Sequence, residues 1–244
     1  MSLPELAQIA PILLVVAFAA VVQYATGFGF ALVSVPLLAL VMDAHAAVLT
    51  ALLLGMLGNF TQAIEGRRVV HRAVVGRLVV TALLGMPVGW WVFTHADARL
   101  LQLTIGVVIL IAVVALARGF TLHHTSAGVD LGVGALAGFL TTCTGTNGPP
   151  IVALLHARRV PPAAFRATTT TTFLAVDILA VIAYAVSGHL TLSHVVTTLL
   201  TVPALALGAL VGIRARRLLS PGTFRVIVLV LLSVTGVIAI VTAR

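Results

Sequence analysis

The feature that most constrains this chain is a succession of apolar stretches with their charges gathered in the short joints between them. Several are long enough to cross a bilayer, which takes about 20 residues. Lipid offers no hydrogen bonds to a bare backbone, so such stretches are expected to be helical. Composition agrees: 61% of the 244 residues are hydrophobic and 8% charged, and the mean hydropathy is +1.21. Soluble domains carry about 25% charged residues. The chain therefore reads as an all-α integral membrane protein, with the lipid bilayer as its solvent. The net charge of +8 comes from arginine alone, with no lysine. These arginines sit in clusters between apolar runs, the pattern of cytoplasmic anchors and not of a nucleic-acid surface. Cys143 is the single cysteine, which excludes an internal disulfide. The segment MSLPELAQ lacks the positive start of a cleaved signal, so the first apolar run is expected to remain.

Two of the apolar runs are broken. TGFGF (Thr26 to Phe30) interrupts the first, and TGTNGPP (Thr144 to Pro150) a later one. Glycine and proline there free backbone groups that lipid cannot satisfy, so protein or a watery cavity must cover them. Breaks in corresponding places of two halves point to a transporter's binding site. In chain order, spans are expected at 5–25, 45–64, 77–94, 99–117, 163–186, 192–213 and 223–242, with short pieces at 28–42, 130–143 and 148–157. The arginine-bearing stretches 65–77 and 214–217 are expected to be cytoplasmic loops, and 118–129 a link between halves. The organisation is a first membrane repeat (1–118), a connecting loop (119–129) and a second repeat (130–244), together one membrane domain.

Sliding one half on the other by 118 residues places Thr26-Gly27 on Thr144-Gly145, Ala46 on Ala164, Thr50 on Thr168 and Asn59 on Asp177. Loop charge alternates oppositely in the two halves. The arginine-rich 65–77 falls opposite the arginine-free 187–194, and the arginine-poor turn 94–99 opposite 214–217. The expectation is two inverted structural repeats, each a broken-helix hairpin followed by three transmembrane helices.

The stretch TGFGFALVSVPLLALV, with its glycine break and downstream proline, and the following AAVLT (46–50), both echoed in the second half, resemble the TauE/SafE family. The resemblance covers nearly the whole chain. It implies a membrane transporter, an exporter of small anions such as sulfite, sulfoacetate or other organosulfonates. The family's usual glycine cluster is reduced here to Gly27 and Gly29, and becomes TGTNGPP in the second half.

A helix that starts just after Gly29 or Gly148 points its first amides, and the positive end of its dipole, into the break. Thr26, Thr144, Thr146 and Asn147 add hydroxyl and amide donors, and Gly27, Gly145 and the other glycines allow close approach of a ligand. These groups suit a small oxyanion. The alternative is that the glycines only let helices pack closely. Downstream, at about 100° per residue, Arg166, Thr170, Phe173 and Asp177 share a helix face. An ionisable residue at membrane depth is functional by default, so Asp177 is the candidate proton or cation coupling site. The alternative for Asp177 is a structural hydrogen bond. Asn59, its counterpart, is placed to hydrogen-bond across the repeat axis, and Gln23 to line the same cavity. Within the five-threonine run Thr168 and Thr170 are the candidates, against back-bonding within their own helix. Arg166 is either an anion attractor at the entrance or an interfacial anchor, and Trp90 and Trp91 are interfacial anchors.

No G-x-x-x-x-G-K-[ST] loop is present to power transport by ATP, and neither H-E-x-x-H nor G-x-S-x-G is present for intramembrane hydrolysis. His123 and His124 lack a nearby third ligand, so neither metal nor cofactor is expected. The reading is a non-enzymatic secondary transporter of a bacterial-type inner membrane, taking a small anionic substrate, with a homo-oligomer possible. An anion channel and an intramembrane enzyme are the alternatives.

Overall fold

A computed structural model describes residues 3–118, 127–218 and 221–243 of the chain. Ten helices follow one another in these residues, with no strand among them. They are α1 (Leu3–Thr26), α2 (Phe30–Leu38), α3 (Ala44–Gly66), α4 (Arg72–His95) and α5 (Ala98–Ala117), then α6 (Ala127–Thr144), α7 (Gly148–Ala157), α8 (Pro162–Val186), α9 (Leu192–Leu218) and α10 (Pro221–Thr242). Five of them, α1, α3, α4, α8 and α9, contain stretches long and apolar enough to cross a membrane. The protein is an all-helical membrane protein. Of the expected connecting loop 119–129, residues 119–126, with His123 and His124, lie outside the described residues; α6 begins at Ala127.

Local chemistry sets the helix starts. Asp43 caps α3, its Oδ1 accepting from the amides of His45 (2.9 Å) and Ala46 (3.2 Å). Asp97 Oδ1 accepts from Leu100 N at 2.7 Å at the head of α5. Proline opens α8 at its first position, where its missing N–H costs nothing. The two breaks turn on glycines with left-handed backbone: Gly27 (φ +88°), Gly29 (φ +97°) and Gly145 (φ +69°).

Two loop expectations need correction. The stretch 65–77 is mostly helix, and only 67–71 connects α3 to α4, so Arg72 and Arg77 lie within α4. The cluster 214–217 also lies inside a helix, because α9 continues to Leu218. Arginine is a good helix former, and its long stem lets the guanidinium reach the interface from a helical position.

Contacts fix the helix directions. Helices α3 and α8 run antiparallel: a Cβ on Gly66 would meet Ala167, while Asn59, earlier on α3, donates through Nδ2 to Asp177 Oδ2, later on α8, at 2.9 Å. Helices α5 and α10 are also antiparallel, with Gln102 Nε2 donating to Thr242 Oγ1 at 3.0 Å. Two parallel pairs flank them, both packed through glycines. On α6, Gly134 and Gly138 lie against Thr81 and Ala82 of α4, and on α9, Gly208 and Gly212 lie against Ala17 and Val21 of α1. Small residues at four-residue spacing let helix backbones approach closely.

Both broken segments are hairpins. Asp130 near the start of α6 is gripped by Arg77 (Nε to Oδ2, 3.1 Å) and by Arg158 just past the end of α7. The end of α7 therefore returns to the level at which α6 began. Because α1 runs parallel to α9, it begins at the end of the bundle where α9 begins. The connection 39–43 leads from α2 into α3, whose first turn lies there too, with His45 Nε2 against Phe93 O near the end of α4 (3.1 Å). The two hairpins enter from opposite ends and their tips meet in the middle.

Candidate functional site

The meeting of the tips leaves a narrow cavity of about 20 Å³. One wall is the first break and the head of α2, from Gly29 to Leu32; another is the second break, Gly145 to Gly148. The rest comes from α1 (Gln23), α3 (Ala51, Leu52, Gly55, Asn59) and α8 (Phe173, Asp177). Eight of the sequence candidates meet here: Gln23, Gly29, Asn59, Gly145, Thr146, Asn147, Gly148 and Asp177.

A polar chain runs through this wall. Gln23 Nε2 donates to Asn59 Oδ1 at 2.9 Å, and Asn59 Nδ2 donates to Asp177 Oδ2 at 2.9 Å. From the other side Asn147 Nδ2 donates to Asp177 Oδ1 at 3.1 Å. Asp177 is only 5% exposed, and burying a carboxylate without partners would cost several kcal/mol. Each of its oxygens instead takes an amide donor. Asn59 and Asp177 are 118 residues apart and touch each other. Gln23 Oε1 is buried without a partner among the described residues and lies against Gly58, where a Cβ would come within 2.6 Å of it.

The α2 head supplies a second kind of donor. Gly29 is its N-cap and has no side chain with which to cap it. A serine or aspartate there would occupy one of the first-turn amides. The amides of Phe30, Ala31 and Leu32 find no backbone acceptor among the described residues, whereas Val33 N bonds Gly29 O at 3.1 Å. These amides belong to cavity-lining residues, at the positive end of the helix dipole. The head of α7 is different in kind. Pro149 and Pro150 have no N–H to offer, so on that side the donors are Asn147 and the Gly148 amide.

The other candidates lie off the cavity lining. Thr26 Oγ1 sits 2.8 Å from Val22 O and 2.6 Å from Phe28 O, stitching the first turn shut. Thr144 Oγ1 bonds Leu140 O (3.0 Å) and Thr146 Oγ1 (2.7 Å), doing the same in the second. Gly27 supports the aliphatic stem of Arg166: a Cβ there would lie 2.6 Å from its Cγ and 2.8 Å from its Cδ. Thr170 bonds back to Arg166 O at 2.9 Å, and Thr168 accepts from His71 N. Both hydroxyls hold backbone. The Trp90 indole donates to Ser187 Oγ at 3.2 Å, tying the α4 and α8 ends together.

Phe30, Ala31, Leu32, Ala51 and Leu52 line the cavity without having been singled out from sequence. Once Gly29 is read as an N-cap, the next three residues follow as amides without a backbone acceptor. The α3 residues follow only from tertiary packing. No group of three or more His, Cys, Asp or Glu among the described residues is arranged to hold a metal.

No curated protein and no solved structure matches the chain. The family model described as "Sulfite exporter TauE/SafE" matches residues 12–238. A match over nearly the full length, on a helical membrane fold organised around two glycine-rich breaks, shows that this chain belongs to the TauE/SafE family.

Proposed function

We propose that the protein is a secondary transporter that exports small anions, sulfite or organosulfonates among them, by alternating access at the cavity between the hairpin tips. The observation that carries this reading is the set of uncapped α2 amides on residues that line the mid-bundle cavity beside Asn59, Asn147 and Asp177. An oxyanion satisfies such amides without a charged side chain, and the helix dipole favours it. In this reading Gly29, Gly145, Thr146, Asn147 and Gly148 contact the anion. Gln23 and Asn59 orient the polar chain, while Thr26, Gly27 and Thr144 shape the tips. Thr168 and Thr170 hold the helix that carries Asp177.

Asp177 is the coupling residue in this scheme. Two unit charges 5 Å apart repel by about 3 kcal/mol at an effective dielectric constant of ~20, on the order of a 100-fold loss of affinity. An anion therefore binds well only when Asp177 is protonated or paired with a cation, and the two move together. The antiparallel contact of α3 with α8 and the touch of Asn59 on Asp177 support an inverted repeat. Rocking one repeat against the other would open the cavity first to one face and then to the other. Arg67, Arg68, Arg72, Arg158, Arg159 and Arg214 gather at one end of the bundle, which we assign to the cytoplasm of a bacterial-type inner membrane.

The test is uptake of labelled sulfite, a short sulfonate and a carboxylate into proteoliposomes, with and without a pH gradient. Saturable, gradient-sensitive flux of a sulfur oxyanion is expected. Flux of carboxylate alone overturns the substrate class, non-saturating flux favours a channel, and no flux of any anion overturns the reading.

A further inference from the structure

A second cavity lies well away from the hairpin tips, at the arginine-bearing end of the bundle. It is a crevice of about 380 Å³ between the end of α3, the start of α4 and the flank of α8. Arg67 and Arg72 line it, with Val70, Val75, Gly76 and Thr171 among the rest of its wall. The arginines nearby are differently engaged: Arg77 and Arg158 hold Asp130, and Arg214 reaches Leu210 O. Neither Arg67 nor Arg72 makes a side-chain hydrogen bond or ion pair with a described residue. The single acid in this stretch, Glu65, lies about 160° round α3 from Arg67 at 100° per residue.

Exposed apolar residues of α3 and α8 lie beside the crevice. At that same rotation, Phe60 and Ile64 share one face of α3 with Arg67, its C-cap, and Thr171, Ile178 and Ile182 share one face of α8. Phe60 is 54% exposed, Ile64 49% and Ile182 53%. Two arginines therefore line a slot that is bordered by exposed apolar faces of α3 and α8. Gly76 borders its open space, since a Cβ there would meet nothing within 4 Å, so a long side chain has room to fill the slot.

We propose that this crevice is a binding site for an anionic phospholipid. Its phosphate pairs with Arg67 and Arg72, and an acyl chain runs along Phe60, Ile64 and Ile182. Guanidinium matches phosphate oxygens in geometry as well as charge, and a basic pocket between membrane helices suits an anionic headgroup. The apolar continuation selects a lipid over a soluble oxyanion. The bound lipid bridges α3 and α8, the helices that carry Asn59 and Asp177.

The test uses the whole chain in phosphatidylcholine nanodiscs with increasing phosphatidylglycerol, reading the thermal unfolding midpoint and the phosphatidylglycerol retained after purification. The Arg67→Gln, Arg72→Gln double variant is expected to need at least ten-fold more phosphatidylglycerol for the same upward shift and to retain none. Gly76→Leu fills the slot without changing charge and is expected to do the same. Arg214→Gln, on the same end, and Gly132→Leu, at another open glycine, are expected to behave as wild type. Stabilisation unchanged in the double variant and in Gly76→Leu overturns the site. So does an equal loss in Arg214→Gln, which indicates general surface charge, or equal stabilisation by glycerol phosphate or inorganic phosphate, which indicates a soluble-anion site. None of these readouts depends on transport, so anion flux in proteoliposomes fails or stands separately.

Discussion

At the scale of single residues, Asp177 carries the sharpest expectation. Its two oxygens are held by Asn59 and Asn147, and asparagine in its place keeps the size of the side chain while removing the charge and its titration. Asp177→Asn is expected to abolish the dependence of flux on a pH or cation gradient while anion binding stays measurable by isothermal titration. Retained gradient dependence in that variant removes the residue from coupling. The tip glycines give a second test, because the 118-residue offset pairs Gly27 with Gly145 but Arg166 with Val48. A Cβ on Gly145 would sit 3.4 Å from Val48 Cγ1, near ordinary contact, whereas one on Gly27 would press into the Arg166 stem. Both glycines have positive φ, a conformation that costs an alanine about 1–3 kcal/mol. Gly27→Ala is therefore expected to lower the unfolding midpoint more than Gly145→Ala. Adding Arg166→Ala should recover part of the difference, and equal losses in the two single variants would show that the stem does not matter.

At the scale of elements, the glycine seams decide how closely the helices can lie. A Cβ on Gly138 would run into the Ala82 carbonyl, which is backbone and cannot step aside, whereas Gly132 on the same helix has nothing within 4 Å. Gly138→Ala is expected to destabilise by roughly 1–3 kcal/mol, the usual cost of overpacking, and Gly132→Ala to be near neutral; thermal unfolding in detergent compares them. Much at this scale was legible before any coordinates. The break at Gly27 and Gly29 predicted the stop of α1 and the start of α2, because left-handed backbone favours glycine. The Asn59–Asp177 pairing followed from the repeat offset alone. Less was legible where arginine sits: charge reads as loop, yet α9 runs through Arg214, and Arg72 and Arg77 belong to α4. The threonine run misled for a related reason. A hydroxyl on a helix can turn to its own backbone, as Thr170 does, and no sequence pattern distinguishes that from a hydroxyl facing a ligand. The bond from Asn147 to Asp177 spans two elements outside the repeat register, so only the fold reveals it.

At the scale of the molecule, the decisive question is whether the halves are inverted, since the proposed rocking of one inverted repeat against the other depends on it. Helices α3 and α8 occupy equivalent places in the two halves, touch at Asn59 and Asp177, and run antiparallel. Helices α5 and α10 do the same at Gln102 and Thr242. The parallel pairs exchange as well, since α1 lies on α9 as α6 lies on α4. A two-fold axis in the membrane plane would produce all of these relations together, whereas a parallel repeat would make equivalent helices run the same way. Inversion also predicts that equivalent surface positions face opposite solutions. Ala73 and Thr191 are such a pair, 118 residues apart, both exposed and both beside a helix start. The background needs only Cys143→Ser, because that buried thiol is the single cysteine. In that background Ala73→Cys is expected to react with a membrane-impermeant thiol reagent only in inside-out vesicles, and Thr191→Cys only in right-side-out vesicles or intact cells. Labelling of both from one side would defeat the inverted repeat and the rocking scheme built on it. Opposite labelling with the two assignments exchanged would keep the repeat and reverse the orientation that the arginines imply.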